Sequence, residues 1–195
     1  MKNAATRAVF AYWDALRIER VAPERSEIDP GAIRHVLADT FMIAVDPAAG
    51  HPFRLAGTRL AALFGRELKG GPFAGLWPGE AARDGLALVD IVAAEMKCVV
   101  AGLIGATREG EEANLELLLA PLRHRGATHA RMLGVLSPGI VPRWLGLRPV
   151  QGLSLRSLRI VGTEREAEPA LVAPADVVMS GPERRAQFVV YDGGK

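Results

Sequence analysis

The sequence has very little cysteine, no long hydrophobic run and almost no excess of charge of one sign. Its single cysteine, Cys98, excludes an intrachain disulfide and a cysteine-rich metal site. Lys and Arg number 24 against 22 Asp and Glu, and no basic stripe interleaved with aromatic residues occurs, so nucleic-acid binding is not expected. The longest apolar stretch, residues 86–104, contains Asp90, Glu95 and Lys97, so we expect no membrane span.

The N-terminus carries charges throughout and has no uninterrupted apolar segment, which argues against a signal peptide and for a cytoplasmic protein. An apolar share of 49% over 195 residues is ample for one core with extensions. We expect an N-terminal helix and link at residues 1–28, a core at residues 29–138, and an extension at residues 139–195. The extension would include a short final strand at residues 187–191.

No pattern of catalytic or metal-binding residues emerges from the sequence. Of the histidines His35, His51, His124 and His129, only the last two are close, and we interpret them as part of a solvated connection. No nucleophile elbow surrounds a serine or Cys98, and no glycine-rich phosphate-binding motif occurs. We therefore expect neither a metal site nor an enzyme.

Residues 4–20 are predicted to form an amphipathic helix with Val9, Tyr12, Trp13 and Leu16 on one face. That face has two possible partners. It packs on the chain's own sheet, or it pairs with a second copy of itself and gives a homodimer. The sequence does not distinguish an intramolecular apolar face from an intermolecular one.

A second helix is predicted where Asp29 offers a side-chain acceptor and Pro30 a preset backbone angle. Ile33, Val36 and Leu37 follow at helical spacing. A long helix is predicted at residues 80–96, where apolar residues again recur at helical spacing.

Five runs have strand character: residues 40–45, 53–56, 98–107, 113–122 and 130–136. The first two are predicted to form a hairpin. Residues 153–160 alternate poorly but are a candidate additional strand. This order predicts an α+β fold with an antiparallel sheet.

The rest of the chain is organised around the segment from Phe53 to Trp77. A strand breaks at Gly57, a short apolar helix at residues 60–64 stops at Gly65, and a Gly-Gly-Pro corner occupies residues 70–72. Trp77 then provides an aromatic anchor. The segment is therefore a strand that passes the chain to a short helix, which the corner turns back.

This segment resembles the front half of a PAS domain. Leu63-Phe64-Gly65 is similar to the family's short-helix end, and the corner at residues 70–72 followed by Leu76-Trp77 is similar to its next segment. Arg-Leu-Ala-Gly-Thr at residues 54–58 looks like a bacterial single-PAS branch with an "fRlaGT" motif. That branch also has a Trp near the N-terminus, here Trp13, and a closing Asp-Gly-Gly, here residues 192–194. The resemblance covers most of residues 5–138 and the tail.

The resemblance implies a PAS-like five-stranded antiparallel sheet with helices on one face, and a small internal pocket. Its lining would come from eight apolar residues: Met42, Leu55, Leu63, Phe64, Trp77, Val89, Met96 and Leu117. Arg54 and Thr58 would be polar contacts at its mouth. The alternative is that the apolar residues form plain core. For Arg54, alternation with Phe53 and Leu55 inward favours a surface position over contact with an anionic ligand.

The resemblance also argues against two cofactors. Light-sensing relatives carry a flavin-reactive cysteine after the short helix, and residues 65–77 contain none. Haem-binding relatives use a histidine on the long helix, and residues 80–96 contain none. The identity of any other cofactor stays open.

The function implied is a stand-alone cytoplasmic PAS-type sensory or regulatory module. It would bind a small molecule, a separate signalling protein or both, and would shift a conformational or dimer equilibrium. We expect its output in trans, because 195 residues leave no room for an effector domain. The alternative is a dimerisation scaffold whose pocket is filled by its own side chains.

Overall fold

The computed structural model describes residues 1–125 and 127–162. The helices are α1 (Ala4–Arg17), α2 (Thr58–Phe64) and α3 (Ala82–Glu95). The strands are β1 (Thr40–Ala44), β2 (Phe53–Ala56), β3 (Cys98–Thr107), β4 (Glu112–His124), β5 (Ala127–Pro138) and β6 (Val150–Val161). Short 3₁₀ helices connect them at Arg25–Glu27, Leu37–Asp39, Pro47–Ala49, Phe73–Leu76 and Gly79–Ala81. The predicted strand at residues 187–191 lies outside the described residues.

The strands form one antiparallel sheet in the order β2-β1-β5-β4-β3-β6. The β1–β2 hairpin and the meander of β3, β4 and β5 confirm the predicted α+β fold. The predicted number of five strands is wrong by one, because β6 pairs with β3 from Val150 opposite Thr107 to Val161 opposite Cys98.

A bulge explains why β6 alternates poorly in the sequence. Ser157 lies opposite Gly102 whereas Leu155 lies opposite Leu103, so Arg156 is an extra residue. Leu155 and Leu158 consequently pack against the same hydrophobic cluster although they are three residues apart. A strict two-residue alternation cannot detect such a strand.

The sheet has a hydrophobic core on each face. The face covered by α2 and α3, here called the inner face, holds the larger cluster, which includes Phe41, Ile43, Leu60, Val92, Leu103, Leu119 and Leu136. The opposite face, here called the outer face, is covered by α1 and by residues 30–39. Its cluster includes Ala5, Val9, Trp13, Ile33, Val36, Leu118, Leu133 and Val135. The chain therefore places α2 and α3 on one face, as predicted, and α1 on the other.

The α-helix predicted after Asp29 is wrong. Successive backbone bonds there span three residues, from Ala32 N–H to the Asp29 carbonyl (3.2 Å) and from Val36 N–H to the Ile33 carbonyl (2.9 Å). The Asp29 carboxylate accepts from the N–H of Gly31 at 2.8 Å, which forms a local turn. Gly31 disfavours a helix interior. Ile33 and Val36 are nevertheless buried, as their spacing indicates.

Helix α1 ends at Arg17, three residues earlier than the sequence suggests. Ile18 has a φ of 56°, in the left-handed region, so the helix cannot continue. The guanidinium of Arg20 donates to the carbonyls of Leu16 (2.8 Å) and Arg17 (3.3 Å). These bonds satisfy carbonyl groups that the last helical turn leaves free.

Candidate functional site

Five of the predicted pocket residues come together on the inner face. Leu63 and Phe64 come from α2, Trp77 from the segment after it, Val89 from α3 and Leu117 from β4. Each is between 0% and 6% exposed. The helical spacing in α2 and α3 and the alternation of β4 direct Leu63, Phe64, Val89 and Leu117 into this cluster.

Aromatic side chains of the chain itself fill the space beside them. The rings of Phe41 and Phe53 have centroids 5.4 Å apart, and Phe73 lies 5.8 Å from Phe41 and 6.2 Å from Trp77. A Cβ added at Gly134 would lie 2.1 Å from the Phe41 ring, so this ring rests directly on the backbone of β5. The inner face is therefore closely packed at the predicted pocket.

The other five predicted residues lie elsewhere, which corrects their assignment to one pocket. Met42 is buried in the outer cluster, because Phe41 and Ile43 on either side of it point inward. Met96 packs against the same outer cluster, at a φ of 54° where the chain leaves α3. Thr58 is exposed at the first position of α2.

The expectation that Leu55 points inward is also wrong. Leu55 lies opposite Met42 whereas Phe53 lies opposite Ile43, so Arg54 is an extra residue in a β-bulge. The bulge turns Leu55 to the outer face, where it is 37% exposed. Arg54 is exposed, as the alternation argument favoured.

Two buried N–H groups next to the inner cluster have no acceptor among the described residues. They are Nε1 of Trp77 and Nε2 of His51. His51 is 1% exposed, and its Nδ1 accepts from the N–H of Asp46 at 3.2 Å, so Nε2 carries the proton of the neutral ring. Burial lowers the pKa of His51. Sequence reasoning left His51 among the scattered histidines, and no local motif marks it.

On the outer face, α1 packs against the chain's own sheet. Val9 and Trp13 are 0% and 1% exposed, and Nε1 of Trp13 donates to the Pro121 carbonyl at 2.8 Å. Tyr12 and Leu16 are half-buried beside them. In the single chain, this face of α1 therefore packs on the chain's own sheet, which is the first of the two predicted arrangements.

The carboxylate of Glu116 fixes the start of α1. It accepts from the backbone N–H groups of Lys2 (2.8 Å) and Asn3 (3.0 Å). The Asn3 side chain accepts from Ala5 N–H (2.8 Å) and donates to the Pro138 carbonyl (2.9 Å). A negative charge at a helix start is stabilising, so Glu116 anchors α1 to β4.

A cleft of about 1160 Å³ opens beside this anchor. Part of its floor is a row of small and polar residues across four strands, Ser137, Glu116, Gly102 and Ser157. Arginines of α1, α2 and β6 line its sides, among them Arg7, Arg59 and Arg159. Arg59 is paired with Asp39.

Residues 1–125 and 127–162 contain no cluster of three or more His, Cys, Asp or Glu that could hold a metal ion. Cys98 is 1% exposed, and burial raises the pKa of its thiol. None of the helices in the same residues is long and apolar enough to cross a membrane.

Comparison with solved structures finds 85 matching chains. A light-oxygen-voltage domain studied with a flavin analogue is 17% identical, with a TM-score of 0.45, covering 58% of this chain and 84% of that one. The PAS domain of a LuxR-family transcriptional regulator from Burkholderia thailandensis, in complex with ethanol, is 21% identical. Its TM-score is 0.40, and the match covers 57% of this chain and 97% of that one. No curated protein matches the chain.

The family comparison gives a match over the part of the chain that forms α1 through β5. The model of the PAS domain family matches residues 1–137. This span contains both the inner-face helices and the short-helix motif on which the resemblance rested. The chain belongs to the PAS domain family.

Proposed function

We propose that this protein is a cytoplasmic PAS-type sensory and regulatory module that signals in trans by binding a separate signalling protein. The packing of the inner face carries the proposal. Phe41, Phe53 and Phe73 are in mutual contact beside the residues predicted to line an internal pocket, which supports recognition at another place. The surface groups of the outer face are then the means by which the module would recognise another molecule.

A small-molecule signal remains part of the proposal, at a different place. The cleft beside Glu116 is lined by guanidinium and hydroxyl groups, and Gly102 leaves room in its floor. A ligand there would contact the residues that hold α1, and would shift the equilibrium between docked and released α1. The expectation against flavin and haem stays a prediction, as does membership of the bacterial branch with the motif at residues 54–58.

Affinity purification of the full chain from cells that naturally make it, followed by native mass spectrometry, tests the proposal. We expect a complex of the chain with a different protein in fixed stoichiometry. A small mass excess that is lost on denaturation would reveal a small-molecule ligand in the same spectrum. Monomer alone, at low ionic strength and without dilution, would contradict signalling through a bound partner.

A dimerisation scaffold is the second candidate. Ile18 and Val21, just beyond α1, are 63% and 55% exposed, so two aliphatic side chains three residues apart are open to solvent. A second copy could cover them. A homodimer that the double substitution Ile18→Asn and Val21→Ser converts to monomer would favour this candidate over the first.

A further inference from the structure

Arg54 and Leu55 form a surface feature that the inner core does not explain. They belong to the segment at residues 54–58 that resembles a bacterial single-PAS branch, and the bulge in β2 exposes both of them. Bulges often re-aim side chains at functional positions. A guanidinium next to an exposed leucine combines a charged and an apolar contact.

Three more arginines lie on the same part of the outer face. Arg131 of β5 is opposite Ala44 and Leu122, and the outer-cluster residue Leu133 follows two positions later on the same strand face. Arg125 lies in the turn after β4. Arg25 begins a 3₁₀ helix whose segment is tied to β4 by the bond from Arg123 N–H to the Pro23 carbonyl, 2.9 Å. Four separate segments thus bring arginines together.

The acids nearest to Arg25 in the chain already have partners. Glu24 pairs with Arg123 at 3.4 Å and Glu27 with Arg20 at 2.9 Å. Within the described part of the chain, none of Arg25, Arg54, Arg125 and Arg131 forms an ion pair. The Nη1 of Arg131 donates to the neighbouring Ala130 carbonyl, 2.9 Å.

The charges of the other three arginines act on Arg131. Burial, and after it the charges of Arg54, Arg25 and Arg125, lower the pKa of Arg131. Like charges repel, and a carboxylate placed among them would offset that repulsion. Guanidinium groups also bind carboxylates through two parallel hydrogen bonds.

We propose that Arg25, Arg54, Arg125 and Arg131, together with Leu55, are the docking site for an acidic segment of the partner protein that carries an apolar side chain. This arginine cluster supplies the charge complementarity, and Leu55 supplies the apolar contact. The inference rests on the proposed function and names the chemistry of the partner. A nucleic acid fits less well, because the chain's net charge is only +2 and Leu55 has no counterpart in a phosphate backbone.

Fluorescence anisotropy with the purified full chain tests this chemistry. The probe is a fluorescein-labelled peptide in which one leucine is flanked by glutamates, compared with the same peptide carrying glutamines and with a DNA duplex. We expect the acidic peptide to bind best, and salt to weaken it. Arg54→Glu should weaken binding by about tenfold or more, the factor expected for losing a charge-assisted bond.

Arg83→Glu is the matched control, because Arg83 is exposed on α3 and the substitution changes the net charge equally. It should leave the affinity within about twofold. Equal losses in both variants, equal binding of the glutamine peptide, or tighter binding of the duplex would each overturn the docking site. Arg131→Gln removes the charge without reversing it. Its affinity for the acidic peptide tests the half-buried position in the same way.

Photo-cross-linking in the producing cells separates this inference from the proposed function. A photoreactive amino acid in place of Leu55 should form a cross-link to an acidic segment of one partner protein. Arg54→Glu should abolish this cross-link. The control places the same residue at Ala94, exposed on α3. Linkage at Ala94 but not at Leu55 would refute the docking site and leave signalling in trans intact. If neither position is linked and the native mass spectrum contains only monomer, both the docking site and the proposed signalling in trans are contradicted.

Discussion

At the scale of single residues, Gly134 shows how tightly the inner face is packed. It lies opposite Phe41 on the neighbouring strand, and the Phe41 ring occupies the space where a side chain would start. Without a Cβ at this position, the end of the Phe41 ring can lie against the backbone of β5. This single contact does much to exclude another molecule from the same place.

Gly134→Ala should destabilise the fold by about 1–3 kcal/mol, the usual effect of overpacking a core. The added Cβ would lie 2.1 Å from the Phe41 ring, so the ring must move. Denaturant unfolding measures the free energy. Gly139→Ala is the control, because nothing lies within 4 Å of its added Cβ. A Gly134→Ala protein as stable as this control would contradict the packing described.

His51 predicts a pH dependence of stability. Burial lowers its pKa in the folded state from the ordinary 6.5, so the unfolded chain binds more protons as the pH falls. The neutral ring therefore contributes stability above about pH 6.5 that is lost progressively on acidification below it. Because asparagine tolerates a positive φ such as the 59° found here, His51→Asn can keep the turn.

Thermal melts at about pH 7 and about pH 5 measure this effect. The melting temperature of the native protein should drop more over that interval than that of His51→Asn. His35→Asn, which changes an exposed histidine, should behave like the native protein. The same drop in all three proteins would show that His51 does not titrate in this way.

At the scale of elements, the contact between Glu116 and the start of α1 can be weakened without disrupting the sheet. Two backbone N–H groups at the helix start meet one carboxylate of β4. The cleft opens at the same place. A change at Glu116 should therefore loosen α1 before it affects the sheet.

Glu116→Gln should reduce the stability of α1 by about 0.3–1 kcal/mol, because it removes the charge that favours the helix start. Hydrogen exchange should become faster in the amides of α1 and remain unchanged in β4 and β5. Glu112→Gln, at an exposed position of the same strand, is the control. Faster exchange throughout the sheet would mean that α1 is not an independent unit.

The sequence predicted the regular elements well and the irregular ones poorly. The amphipathic spacing of α1 and α3 and the alternation of β4 depend on local periodicity, which the chain keeps. β6 and the exposure of Leu55 depend on bulges, which shift the alternation by one residue. In residues 29–39, the predicted apolar positions are buried, but the backbone forms turns in place of the predicted helix. Gly31 and the bond from its N–H to the Asp29 carboxylate favour these turns.

The candidate sites were less predictable than the fold. Leu63, Phe64 and Trp77 could be placed from the PAS-like motif. The arginine cluster joins residues from Arg25 to Arg131, and the α1 anchor joins Asn3 to Glu116. Such pairs meet only through the sheet order, which no single stretch of sequence contains.

At the scale of the whole molecule, the sheet separates two faces with different properties. The inner face is filled by aromatic and aliphatic side chains. The outer face bears α1, the cleft and the arginine cluster. This division is why we place recognition on the outer face and a supporting role on the inner one.

Native mass spectrometry of the freshly purified chain, beside its Trp77→Phe variant, tests this division most directly. The variant keeps an aromatic ring and removes one of the two buried N–H groups next to the inner cluster, Nε1 of Trp77. We expect either the bare polypeptide mass in both proteins or an adduct that both retain. An adduct present in the native protein and lost from the variant would place the ligand in the interior, and would contradict the account.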